Sequence, residues 1–107
     1  EQECTGIVCG SDLMALGVIQ GARSMGRSVP QDVSVIGYDD SPMIPMTNPP
    51  LTTVRQPVAA ISRAAVQTLL AAINGEEQSD AEMFFTPDLI VRGSTAPAPR
   101  HGQGRIC

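Results

Sequence analysis

The chain has 107 residues, a formal net charge of −4 and an aromatic share of only 3%. That length suits one small domain or a piece of a larger one, and its core must be aliphatic. The acidic balance, with seven arginines scattered and no lysine, excludes a segment that grips phosphate backbones itself, which needs clustered cations.

Three cysteines, Cys4, Cys9 and Cys107, form an odd set with no metal-ligand spacing and no disulfide framework, as in a reducing cytosol. Cys9 sits in an apolar run and reads as a small buried thiol. No apolar run approaches the length of a membrane span. The polar, acidic start is no signal peptide, and the missing initiator Met makes the chain read like a C-terminal portion.

TGIVC (5–9) is a short apolar run with β-branched residues, a strand. The spacing predicts a helix over 13–25, capped by Ser11 or Asp12 and stopped by Gly26. Leu13, Leu16, Ile19 and Ala22 form its apolar stripe. Gly17 and Gly21, one turn apart, each cost about 1 kcal/mol of helix propensity, so they predict close packing against a neighbour. VSVIGY (33–38) is a second strand, and strand–helix–strand in this order predicts a parallel pair. Four prolines make 39–50 a loop, and LTTVRQ (51–56) is a third strand. Pro57 opens a second helix over 58–74, closed by Gly75. Its apolar face is Val58, Ile61, Ala65, Leu69 and Ile73. EEQSDAE (76–82) is a solvated loop, 83–93 holds one or two short strands, and 96–107 is a disordered tail.

Strand carboxyl ends of a parallel sheet share one edge, where ligands of open α/β sheets bind. The first strand delivers Ser11 and Asp12 to it, and the second delivers Asp39 and Asp40. Without lysine there is no P-loop and no Schiff base. The single histidine, His101, lies in the tail and supports neither a zinc site nor a Ser-His-Asp set. No catalytic residue and no cofactor is expected. A Mg²⁺ site from Asp12, Asp39 and Asp40 is an alternative. Otherwise Asp12 caps the helix, Asp40 makes an Asx turn, and Asp39 accepts hydrogen bonds from a hydroxyl-rich or amine-bearing ligand.

The ordered combination of DLMALG, VPQDVSVIGYDD, PPLTTVRQP and LIVRGST resembles the C-terminal part of lactose/galactose-repressor (LacI/GalR) family regulators. The resemblance implies an α/β, parallel-sheet periplasmic-binding-protein-like (type I) fold, present only as a C-terminal fragment. Residues 1–54 would belong to the C-terminal effector subdomain, 55–85 to the crossover and the N-terminal subdomain, and 86–95 to the return strand. It further implies that Asp39 hydrogen-bonds the effector, a sugar or nucleoside. Ser11 does so secondarily, standing where asparagine is usual, and Gln56 and Ile61 approach the ligand. Leu16 and a loop containing Met43, Ile44, Met46 and Thr47 match the family's homodimer surface. The helix-turn-helix is absent from these residues, so operator DNA would be bound only through the full-length protein, in the cytoplasm. A periplasmic sugar-binding protein of a transport system is the alternative. The second helix would lack its native partner. Burying each of its large apolar side chains is worth roughly 1.5–3 kcal/mol, so the isolated chain is expected to be unstable or to associate.

Overall fold

The computed structural model describes residues 4–77, 83–99 and 106–107. The chain forms two compact units: Glu1–Arg55 together with Leu89–Cys107, and Gln56–Asp88. His101 and most of the tail lie outside the described residues, as do the last five residues of the loop expected over 76–82.

The first unit is built on a sheet of order β1-β2-β3-β4. Its strands are β1 (Gly6–Val8), β2 (Ser34–Tyr38), β3 (Thr52–Arg55) and β4 (Asp88–Ile90). β1 and β3 both run parallel to β2, with Ile7 opposite Val35 and Gly37 opposite Thr53. Alternation along β2 is clean: Val35 and Gly37 are buried, while Ser34, Ile36 and Tyr38 are half-buried. Helix α1 (Asp12–Ser24) packs on the Val35 side. The core there is Cys9, Ala15, Ile19, Val35, Ile44 and Leu51. Burial pushes the Cys9 thiol above its ordinary pKa, so it stays protonated and inert.

The rotation of α1 differs from the expected stripe. Asp12, Ala15 and Ile19 are buried, whereas Leu13 is 79% exposed. A buried polar anchor sets this rotation: Asp12 faces inward to receive two hydrogen bonds, and its neighbour, about 100° further round the helix, is turned out. The two helix glycines also differ from expectation, for a side chain at Gly17 or Gly21 would meet nothing within 4 Å. Close approach instead occurs at Gly37. A Cβ there would collide with Asp12 Oδ1 and come within 2.8 Å of Leu51 Cδ2.

The return segment ties the unit together. Ser94 is fully buried; its hydroxyl donates to Val35 O at 2.6 Å and accepts from Thr52 N at 2.8 Å. Its carbonyl accepts from Val35 N at 2.9 Å. Hydroxyls of Thr52 and Thr95 meet at 2.9 Å. The described parts of the expected disordered tail are anchored. Ala96 N donates to Ser34 Oγ at 3.0 Å, Ile106 bridges to Gly6, and Val8 N donates to Cys107 O at 3.0 Å. These backbone bonds along the free edge of β1 bring Cys107 beside Cys4, and a disulfide joins them. The expectation that these cysteines form no disulfide framework is thereby corrected for Cys4 and Cys107, while Cys9 stays a buried free thiol.

In the second unit, α2 (Val58–Ile73) begins after Pro57 and ends at Asn74, with Gly75 at φ +78° taking the left-handed turn. No residue of α2 is buried; Val58, Leu69 and Ile73 are 62%, 60% and 69% exposed.

Two glycines should respond oppositely to a methyl group. Gly37→Ala is expected to lower stability by about 2–3 kcal/mol through overpacking against Asp12 and Leu51. Gly17→Ala should raise it by up to about 1 kcal/mol through helix propensity. Urea unfolding of the two variants beside the parent measures both.

Candidate functional site

The parallel strands bring the first turn of α1 and the residues after β2 to one edge. Ser11 is the N-cap of α1, in extended conformation, its Oγ accepting from Met14 N at 3.1 Å. Asp12 follows inside the helix and does not cap it. Only 3% exposed, it accepts from Ser41 N through Oδ2 and from Thr53 Oγ1 through Oδ1, both at 2.7 Å. One carboxylate thus joins α1, the loop after β2 and the middle of β3. Removing Asp12 would strand a buried hydroxyl and a backbone N–H, so its task is structural.

The two acids after Tyr38 have separate tasks. Both residues lie in the left-handed region, Asp39 at φ 105° and Asp40 at φ 55°, which Asp tolerates better than most residues. The Asp39 amide continues the ladder by donating to Val54 O at 2.9 Å, and the residue is exposed at the sheet edge. Asp40 turns the other way. Its side chain, 7% exposed, receives Arg55 Nε at 2.7 Å on Oδ2 and lies 2.8 Å from Arg92 Nη1 on Oδ1. The Arg92 contact is one of charge rather than of an aligned hydrogen bond, since that N–H points to Leu51 O, 3.0 Å away. Pairing with Arg92, and then with Arg55, holds the Asp40 carboxyl below its ordinary pKa despite burial. Two adjacent acids in a chain without lysine are reconciled by arginine.

This corrects the Asx-turn reading of Asp40 and the capping reading of Asp12. It also removes the Mg²⁺ alternative, because Asp12 and Asp40 have their oxygens engaged. Among the described residues no three His, Cys, Asp or Glu side chains are grouped to hold a metal ion. Of the expected ligand residues, Ser11 and Asp39 share the edge of the first unit. Gln56 opens the second unit and Ile61 lies on α2, both half-buried. Of the expected dimer residues, Met43 and Met46 are 74% and 85% exposed. Thr47 is half-buried, its hydroxyl donating to Ile44 O and Pro49 O. Leu16 is partly buried against the core, and Ile44, 3% exposed, is inside it.

Sequence reasoning missed Arg55, Thr53 and Arg92. The parallel register carried a signal for the first: Tyr38 lies opposite Val54, so the acids after Tyr38 run beside Arg55. Arg92 carried none, since its meeting with Asp40 depends on the path of the return segment.

Residues 1–95 match the periplasmic binding protein-like domain. The HTH-type transcriptional regulator MalR of Streptomyces coelicolor is 58% identical over 98 residues, covering 92% of this chain and 28% of that protein. Among solved structures, the transcriptional regulator CelR–cellobiose complex aligns with a TM-score of 0.80 at 36% identity, over 86% of this chain and 28% of the other. A LacI family transcriptional regulator from Lactobacillus casei with bound sucrose gives 0.72 at 36% identity, over 85% and 33%. Fold, strand-edge site and matches together define a periplasmic-binding-protein-like domain. The chain belongs to the LacI family of transcriptional regulators and carries a C-terminal part of that domain. It spans about 28% of the length of MalR. These relatives are regulators, not enzymes, and no described helix is long and apolar enough to cross a membrane.

Asp40 supplies a pH signature. Because its folded pKa is depressed, its carboxylate stabilises the fold in full above the ordinary carboxylate value of about 4 and loses that contribution as pH falls through the lowered value. Asp40→Asn is expected to cost about 2 kcal/mol at pH 7, between the values for exposed and buried pairs because Arg55 is half in solvent. Denaturant titrations down the pH scale should show parent and variant converging below about pH 4.

Proposed function

We propose that this chain is an effector-binding and dimerisation segment of a ligand-responsive bacterial transcriptional regulator, acting in the cytoplasm, whose effector is a sugar. The observation that carries the reading is the division between the two acids after β2. Asp40 is consumed by arginines, while Asp39 stands exposed at the carboxyl end of a parallel strand. An ionised carboxylate there accepts from two neighbouring hydroxyls at once, which suits a polyol ring. Ser11, across the same edge on the adjacent strand's exit, is a second polar contact, though its Oγ lone pairs are shared with Met14 N. The family resemblance names Gln56 and Ile61 as two further ligand candidates. The cellobiose and sucrose bound by the two structural relatives favour a sugar over a nucleoside.

The regulator acts as a homodimer in this reading, through the exposed Met43 and Met46 beside half-buried Thr47 and Leu16. Operator DNA is bound by the whole protein, and the effector shifts its populations by preferring one conformation.

Calorimetry of the intact regulator against cellobiose, sucrose and a nucleoside tests the site. One sugar should bind, and Asp39→Ala should weaken it by about 10–100-fold, the equivalent of one or two charge-assisted hydrogen bonds. Undiminished binding to Asp39→Ala would remove that residue from the site. Binding of the nucleoside alone would change the effector class. For the dimer, Met46→Glu is expected to shift the sedimentation profile toward monomer at micromolar concentration, because it places a charge in an apolar contact.

A further inference from the structure

We propose that Asp40 is a positioning residue that clamps both passages of the chain between the two units, and so links the site at Asp39 to the regulator's conformational response. The link to Asp39 rests on the effector reading above; the clamp itself does not.

The two units are joined by two covalent passages, one after Arg55 and one before Leu89. Arg55 is the last residue of the first unit on the way out. Arg92 lies four positions into it on the way back. Nothing in their sequence separation, 37 positions, brings them together; the Asp40 carboxylate does, with Arg55 Nε 2.7 Å from Oδ2 and Arg92 Nη1 2.8 Å from Oδ1. Both passages are therefore indexed to one side chain, itself almost wholly out of water at 7% exposed.

That side chain is rigidly mounted. The backbone turns through two consecutive left-handed residues, Asp39 and Asp40. It is held before the turn by Asp39 N to Val54 O, and after it by Ser41 N to Asp12 Oδ2. The return passage has further ties: Arg92 N donates to Thr52 Oγ1 at 3.0 Å, and Gly93 N to Pro50 O at 2.8 Å. The outgoing passage is tied too, with Asp39 N donating to Val54 O at 2.9 Å, and Arg55, 55% exposed, is its arm to Asp40. Asp39 and Asp40 share a peptide plane. A ligand held by Asp39 therefore acts one peptide group away from the residue whose carboxylate meets Arg55 and Arg92. A charge pair that both sites bias is the kind of element that carries coupling between them.

Hydrogen exchange on the intact regulator without any sugar tests the clamp. In Asp40→Asn, amides of residues 54–56 and 89–93 should exchange at least tenfold faster, while the amides pairing β1 with β2 keep their protection. Arg55→Gln, which removes one exposed arm and spares the core, should speed exchange at 54–56 but not at 89–93. Unchanged exchange at 54–56 in Arg55→Gln, or a rise spread evenly over both passages and β1–β2, would overturn the clamp.

With cellobiose as the probe, the response readout is the ratio of operator affinities without and with sugar. Asp40→Asn should reduce that ratio at least tenfold while changing cellobiose affinity less than threefold. An undiminished ratio would overturn the link. If cellobiose fails to bind the parent, the effector reading fails for that sugar, and the exchange measurement still decides the clamp.

Discussion

The buried carboxylate of Asp12 is the constraint on which the rest of the site depends. A charged group 3% exposed is tolerated only when its lone pairs are occupied, and here a threonine hydroxyl and a backbone N–H occupy them. Meeting those two donors sets the rotation of α1, which decides that Ala15 and Ile19 enter the core and Leu13 does not. It also forces the absence of a side chain at Gly37, since the helix start rests directly on that strand residue. Ser41, held by the same carboxylate, is the residue on which the loop after β2 is anchored. The strand edge that carries Asp39 is thus assembled around a residue that itself touches no ligand in the proposed reading.

The rim separates charge into two environments within a single dipeptide. The Asp40 side chain, 7% exposed, meets the mostly buried Arg92 and an Arg55 that stays half in solvent. Asp39 is exposed to water at the strand edge. Arg92 stands beside both a backbone carbonyl and the carboxylate, with Nη1 3.0 Å from Leu51 O and 2.8 Å from Asp40 Oδ1.

Much of this was legible in the residues. The strand–helix–strand order, the parallel pairing and the stops at Gly26 and Gly75 follow from local chemistry, and the ordered combination of DLMALG, VPQDVSVIGYDD, PPLTTVRQP and LIVRGST pointed to the family. What stayed hidden was tertiary. Periodicity could not tell Leu13 from Asp12 as the inward residue, because an apolar side chain normally wins that contest and here a satisfied carboxylate does. Ile44, in a proline-broken loop, carried the composition of a surface patch, yet its burial depends on how a 3-10 turn at Ile44–Met46 lays it on the core. Cys4 and Cys107, 103 positions apart, meet because the last described residues run along β1, and no spacing rule anticipates that.

Ser94 has a consequence for the order in which the molecule is made. Its hydroxyl and carbonyl supply bonds that β2 and the start of β3 need, across 59 and 42 positions of chain. The first unit is therefore discontinuous: its strands are synthesised early, but the groups that satisfy them arrive only after the whole second unit has been added. Until then Val35 O and Thr52 N, deep in the finished unit, face water or improvised partners. A chain emerging from the ribosome in the usual direction must hold this half-built sheet open while α2 is made. Contacts of such long separation are slow to form because the loop must close before they repay it. The unit that carries Asp39 can therefore close its sheet only once the return segment has been made.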